Sequence, residues 1–243
     1  MSSQNKINFD ERYQEWKNWN HAAFTACPKK EAVYFQEELR HAGITSLDGV
    51  SIVEIGCGDG QFAVWAKRHG AAYIGTECIA DIVQQGKRAG FDIRNADLPL
   101  SDIISTQSTD IIVAFDIFEH LEEGALHEML LSCFRILRPS GRLIARVPSG
   151  DSPFSRAIQH GDATHRLTLG SSVVQQYAAA TGFHVQSISQ PAFPLRSLGL
   201  RTFFRRAIVL SIQAISFPII SRAFMGGGRP VLTPNMIFVL VKP

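Results

Sequence analysis

The chain has 243 residues, is 45% hydrophobic and carries a formal charge of only +2. That length suits one α/β domain with additions, the apolar share supplies a sizeable core, and the charge is too small to argue for a nucleic-acid partner. The average hides an asymmetry: residues 191 to 234 hold six arginines and no lysine or acidic residue, so the remainder is net acidic.

In chain order, residues 7 to 24 read as a helix with Phe9, Tyr13, Trp16 and Ala23 on one side. A second helix spans Lys29 to His41, carries Val33, Phe35 and Leu39, and stops at Gly43. Then comes a β-branched run, Val50, Ile52, Val53 and Ile55, short for a helix and long enough for a buried strand. Gly56, Gly58 and Gly60 follow, and Phe62, Ala63, Trp65 and Ala66 resume helical spacing up to Gly70. A strand that feeds a glycine turn and a helix presents backbone N–H groups to a ligand. Further strands are expected near 72–77, 91–95, 110–115, 141–147, 184–189 and 236–242, with Pro139-Ser140-Gly141 turning into the fifth. Helices are expected near 60–69, 80–89, 123–137 and 171–181, the last capped by Ser171 or Ser172 and ended by Gly182. Such alternation implies a parallel sheet with helices on both faces. Cys27, Cys57, Cys78 and Cys133 show no Cys-x-x-Cys pair or disulfide-like spacing, which suits a reducing cytoplasm, and the polar N-terminal stretch does not read as a signal peptide.

Two acids sharpen the glycine turn. Glu54 sits inside the strand two residues before Gly56, where a nicotinamide-binding turn is normally apolar. Glu77 ends the next strand, about twenty residues past the turn, where a carboxylate grips ribose hydroxyls in doubly wound folds. The run Glu54-Ile55-Gly56-Cys57-Gly58-Asp59-Gly60 resembles the first motif of class I S-adenosylmethionine-dependent methyltransferases. The resemblance covers residues 45 to 190 and the final strand. It implies a Rossmann-like, seven-stranded, mostly parallel sheet with an antiparallel last strand. It divides the chain into a helical cap (1–45), a cofactor-binding core (46–190), an arginine-rich apolar insert (191–235) and the last strand (236–243). It further implies that Glu54, Gly56, Cys57, Gly58 and Gly60 form the methionine side of the cofactor site and that Glu77 takes the ribose. Asp97 accepts from the adenine amino group, and Cys78, Leu98 and Phe115 line the pocket. Arg12, Tyr13 or Trp16 would reach the methionine carboxylate or the substrate, unless these aromatics simply pack on the core.

After the fourth strand, Asp116, Glu119 and His120 are spaced i, i+3, i+4 and share a face if a helix starts there. The set resembles the acid-x-x-Glu-His group of quinone-ring O-methyltransferases and small-RNA 2′-O-methyltransferases, which bind divalent cations; aspartate at the first position is a departure. In the loop His160-Gly161-Asp162-Ala163-Thr164-His165, a turn shaped by Gly161, Asp162 and Thr164 would aim His165 over the strand ends. The expected metal set is therefore Asp116, Glu119, His120 and His165, for Mn²⁺, Fe²⁺ or Zn²⁺ more than Mg²⁺. Without a metal, His120 or His165 serves as general base.

The same loop and the chain end resemble methyltransferases of bacterial O-antigen clusters, which implies a sugar hydroxyl on a lipid-linked glycan as acceptor. A quinone or other phenolic acceptor is the alternative, and a non-catalytic membrane-docked scaffold is a further one. RNA is not expected, since no basic stripe lines the active face. Residues 207 to 220 carry no charge; as a helix they would reach about 21 Å, short of a ~30 Å hydrocarbon core. The expectation for residues 198–225 is a peripheral contact with an anionic membrane, the alternative being a helical pair buried on the sheet or at a homodimer interface.

Overall fold

A computed structural model describes residues 23–195 and 198–243. Helix α1 (Lys29–His41) leads into β1 (Ser51–Ile55), and the chain then alternates: α2 (Gln61–Arg68), β2 (Ala72–Glu77), α3 (Ala80–Arg88), β3 (Asp92–Asn95), a short α4 (Leu100–Ile103) and β4 (Thr109–Phe115). A 3₁₀ turn at Phe118–His120 precedes α5 (Glu123–Ile136) and β5 (Leu137–Pro148). After α6 (Arg156–Gln159) come α7 (Ser171–Thr181), β6 (His184–Ser189), the long α8 (Leu200–Phe224) and β7 (Asn235–Val241).

The seven strands lie in the order β3-β2-β1-β4-β5-β7-β6. Strands β1 to β5 pair in parallel, and β7 runs antiparallel between β5 and β6. The order reverses between β1 and β4, and that crevice at the carboxyl ends is where open parallel sheets bind ligands. The alternation along each strand builds two apolar layers. Val53, Ile55, Ile112 and Leu143 face Leu126, Leu130 and Cys133 of α5. Ile52, Ile111, Val113 and Ile144 face Phe35 and Leu39 of α1 and Phe62 and Trp65 of α2.

Three local expectations change. Neither Ser171 nor Ser172 caps α7, because Asp151 accepts the Ser171 N–H at 2.9 Å from the preceding loop. The turn at Pro139-Ser140-Gly141 is absorbed into β5 as an irregularity: pairing jumps from Thr109–Leu137 to Ile111–Arg142, and Ser140 takes φ 64°. The insert is neither a helical pair nor a fourteen-residue segment. It is one helix of 25 residues, continuing through Arg205, Arg206 and Pro218, and its large apolar residues are exposed rather than packed on the sheet. Length and composition meet the requirement for a bilayer crossing. Pro218 is tolerated because its turn is solvent-facing. The helix expected over residues 7 to 24, with Phe9, Arg12, Tyr13 and Trp16, lies almost wholly outside the described residues; Ala23 and Phe24 form a turn.

Candidate active site

The glycine turn hangs on β2. Thr76 O accepts from the N–H groups of Gly56 and Cys57 at 2.9 and 3.1 Å. Gly56, Gly58 and Gly60 take φ of 69°, 50° and 77°, a region that disfavours side chains. A Cβ on Gly56 would lie 2.1 Å from Ile117, and one on Gly60 2.2 Å from the Phe24 ring, so the turn is packed from two sides. Glu77 ties the turn to the start of α3: its carboxylate accepts the N–H of Gly58 at 3.1 Å, of Cys78 at 2.8 Å and of Ile79 at 3.1 Å. Glu54 lies beneath the turn and receives the Tyr73 hydroxyl. Burial pushes the Glu54 carboxyl well above the usual carboxylate range, against the lowering effect of Tyr73.

These residues fit S-adenosylmethionine. The turn and its neighbouring strand ends carry Asp59, Glu77 and Asp97 and no lysine or arginine, and that sign favours a sulfonium cation. Asp97 is exposed and held at 2.7 Å by the Asn95 side chain. Leu98 is exposed beside it, Cys78 is exposed, and Phe115 is half-buried at the end of β4. Burial pushes the Cys57 thiol up, which makes it an inert wall.

A second polar group lies at the carboxyl ends of β4 and β5. Glu119 O accepts the N–H of Arg166 at 2.7 Å and of Leu167 at 3.0 Å, which pins the long loop to the 3₁₀ turn. His120 and His165 come edge to face with ring centres 4.7 Å apart. Donor atoms of Glu119, His120 and His165 lie within 4.8 Å of one another. His165 Nε2 is 3.9 Å from Glu119 and 3.8 Å from Asp162. Its Nδ1 is 3.0 Å from the Gln159 carbonyl, which can only accept, so Nδ1 carries the proton and Nε2 is the basic nitrogen of the neutral ring. A similar relay orients His120. The Thr164 hydroxyl donates to Asp162 at 2.5 Å and therefore accepts from His120 Nδ1 at 2.8 Å. Burial raises the Asp162 carboxyl, but the two Thr164 donors and the nearby histidines outweigh it and hold the group below its ordinary value. The cleft around this cluster encloses about 240 Å³ and is also lined by Asp116, Pro148, Ile158 and Asn235.

Asp116 is the correction to the expected metal set. It sits at φ 59°, its N–H donates to Arg146 O at 2.9 Å, and its carboxylate takes a two-pronged bond from the Arg146 guanidinium. That cation lies against the rings of Tyr34 and Phe115, at 5.2 and 5.5 Å. Asp116 therefore lines the cleft without joining the cluster, and Asp162 approaches His165 instead.

A family model described as a methyltransferase domain matches residues 9–191. The chain belongs to this family. Its fold is that of S-adenosylmethionine-dependent methyltransferases. It is similar to a Mycolicibacterium smegmatis protein named as a probable S-adenosylmethionine-dependent methyltransferase, 32% identical over 145 residues, 57% of this chain and 53% of that one. It is also similar to a ubiquinone biosynthesis O-methyltransferase of Coxiella burnetii, 24% identical over 146 residues, 56% of this chain and 57% of that protein. The chain spans about half the length of the curated relatives it matches. A structure of an S-adenosylmethionine-dependent methyltransferase from Archaeoglobus fulgidus superposes with TM-score 0.62 at 18% identity, covering 87% of this chain and 94% of that one.

In this chain the crevice between β1 and β4 gathers the sequence-predicted residues into two groups, the glycine turn with Glu77 on one side and the histidine cluster on the other. Asp162, Thr164 and Arg146 were missed as site residues. The i, i+3 spacing of Asp162 and His165 was a usable signal for the first; the Arg146–Asp116 pair joins residues 30 apart in sequence and left none.

Proposed function

We propose that the methyltransferase acts on oxygen, removing the proton of an acceptor hydroxyl at the Glu119–His120–His165 cluster. The observation that carries this is the pair of imidazoles whose Nδ1 atoms are engaged by Gln159 and Thr164, with the basic Nε2 of His165 beside the Glu119 and Asp162 carboxylates. An aliphatic hydroxyl is a weak acid, and concentrated basic groups suit it better than a phenol, which ionises with less help. A sugar hydroxyl of a lipid-linked glycan is the acceptor this chemistry favours. The similarity to ubiquinone biosynthesis O-methyltransferases supports a phenolic ring as the second reading.

Two imidazoles and a carboxylate within 4.8 Å also fit a divalent cation of the Mn²⁺, Fe²⁺ or Zn²⁺ kind. Such an ion would stabilise the alkoxide. Glu119, His120 and His165 would hold it, while Gln159 and Thr164 fix the ring orientations. Asp116, neutralised by Arg146, shapes the cleft floor instead. The test is formation of S-adenosylhomocysteine by the purified chain with glycan and catechol acceptors side by side. Turnover of the catechol alone would discard the sugar reading.

A further inference from the structure

Helix α8 presents an apolar stripe to solvent over most of its length. Phe204, Ile208, Ile212, Ile215 and Ile219 are each at least 60% exposed, and Leu200 and Phe224 extend the exposed apolar surface at the two ends. Their spacing of three and four residues puts the central five on one face. Soluble surfaces carry single exposed apolar residues, not a row of this length. Arg201 and Arg222, both exposed, lie three residues outside the first and last members of the row of five, and Arg205 flanks it.

Both ends of the helix are held by the globular core. At the start, Arg206 donates to Pro194 O and lies over Phe193, while the Ala192 N–H is buried on Glu38. Beyond the end, Ser221 donates to Gly228 O at 2.5 Å, and Ser149 and Ser152 donate to the carbonyls of Val231 and Leu232, both at 2.7 Å. The seven residue steps from Phe224 to Val231 reach at most about 25 Å when extended. A crossing would put one end beyond a ~30 Å hydrocarbon core, and the return would drag unpaired backbone through it. The helix is long enough to span and tethered so that it cannot.

A second copy of the chain is a poor cover for this face. Two-fold antiparallel packing of α8 sets Arg201 and Arg205 of one copy beside Arg222 of the other, and residues 191 to 234 contain no acid to offset them. Phosphate headgroups supply that charge.

We propose that α8 lies flat in the interfacial layer of an anionic phospholipid membrane, with its isoleucines and phenylalanines among the acyl chains and Arg201, Arg205 and Arg222 on the phosphates. The docking does not depend on which acceptor is methylated. It is tested by flotation of the full chain with phosphatidylcholine vesicles, with and without phosphatidylglycerol. The chain should float with the anionic vesicles and be largely released in high salt. R201Q/R205Q/R222Q should weaken partitioning about a hundredfold, at roughly fivefold per arginine. I208Q/I212Q/I215Q should abolish it while leaving the thermal melt in place, since all three side chains are exposed. A wild-type chain that stays unbound, an isoleucine variant that floats as well as wild type, or a dimer that hides α8 from vesicles would overturn the proposal.

Discussion

Glu77 and Asp97 are both expected at the cofactor, yet the structure gives them different second duties, and paired substitutions separate them. Glu77→Gln keeps the shape and removes the charge. One oxygen can still accept from Cys78 and Ile79, now as a neutral acceptor, while the new amide faces the Gly58 N–H, donor against donor. Bonds to a charged acceptor are worth ~1.5–3 kcal/mol and neutral ones ~0.5–1.5, so two weakened bonds and one lost bond cost about 5 kcal/mol. At ~2–4 °C per kcal/mol for a chain of this size, the melting temperature should fall by roughly 10–20 °C. Asp97 is exposed and, among the described residues, hydrogen-bonds its own strand end through Asn95, so Asp97→Asn should leave the melt within ~0.5 kcal/mol of wild type. It should still weaken S-adenosylhomocysteine binding by roughly tenfold to a hundredfold, the worth of one charge-assisted bond. Calorimetric titration and thermal scans on the same preparations read both quantities. A Glu77→Gln protein that melts with wild type would refute the anchoring of the turn. An Asp97→Asn protein that binds as tightly as wild type would remove the adenine contact.

The remaining expectations concern the buried acids and the histidines. A carboxyl raised in the folded state, as Glu54 is, favours folding while protonated, and that stability drains away as pH climbs from the ordinary carboxylate range to the raised value. Glu54→Gln keeps an acceptor for Tyr73 and should flatten the stability profile there; urea titrations that keep the wild-type slope would contradict it. Thr164→Val removes both the hydroxyl donor to Asp162 and the acceptor for His120, so the Asp162 carboxyl should titrate higher by carbon NMR; no movement would mean Thr164 is not what holds it down. His120→Ala and His165→Ala should each lower turnover at least tenfold with cofactor affinity unchanged, since proton transfer contributes ~10²–10⁴. If a cation is held there, either change should also abolish rescue by Mn²⁺ after chelation, and rescue that survives both would place the ion elsewhere.

β1, β6 and β7 were legible because each carries β-branched residues between a glycine or proline on either side, and six of the seven strands have nearly the expected bounds. The place of Glu77 at the end of β2 beside the glycine turn was legible too, its distance from the turn being set by one strand-helix-strand unit. Asp116 was misread because its fate is decided across the sheet. Phe115 pairs with Arg146, which brings an arginine from the next strand onto a carboxylate that spacing alone would give to a metal. Asp162 was taken as a turn former, and it is one, accepting the Thr164 N–H at 3.0 Å, but its other oxygen faces His165. The insert was cut short because a charge-free window ends at Arg206, whereas an exposed helix has no reason to stop at a solvated arginine.

The strand order carries one more consequence. Glycine turn, Glu77 and Asp97 hang on β1, β2 and β3, at one side of the sheet. One tether of α8 fastens to the other side, where Val231 and Leu232 bond next to β5 and Asn235 opens β7 and lines the cleft; the second runs from Ala192 to Glu38 of α1, whose Phe35 packs on Phe62 of α2 behind the glycine turn. Traction on a docked α8 would therefore reach the cleft through β5 and β7 and the glycine turn through α1 and α2. A chain docked as proposed would search for a membrane-held acceptor in two dimensions.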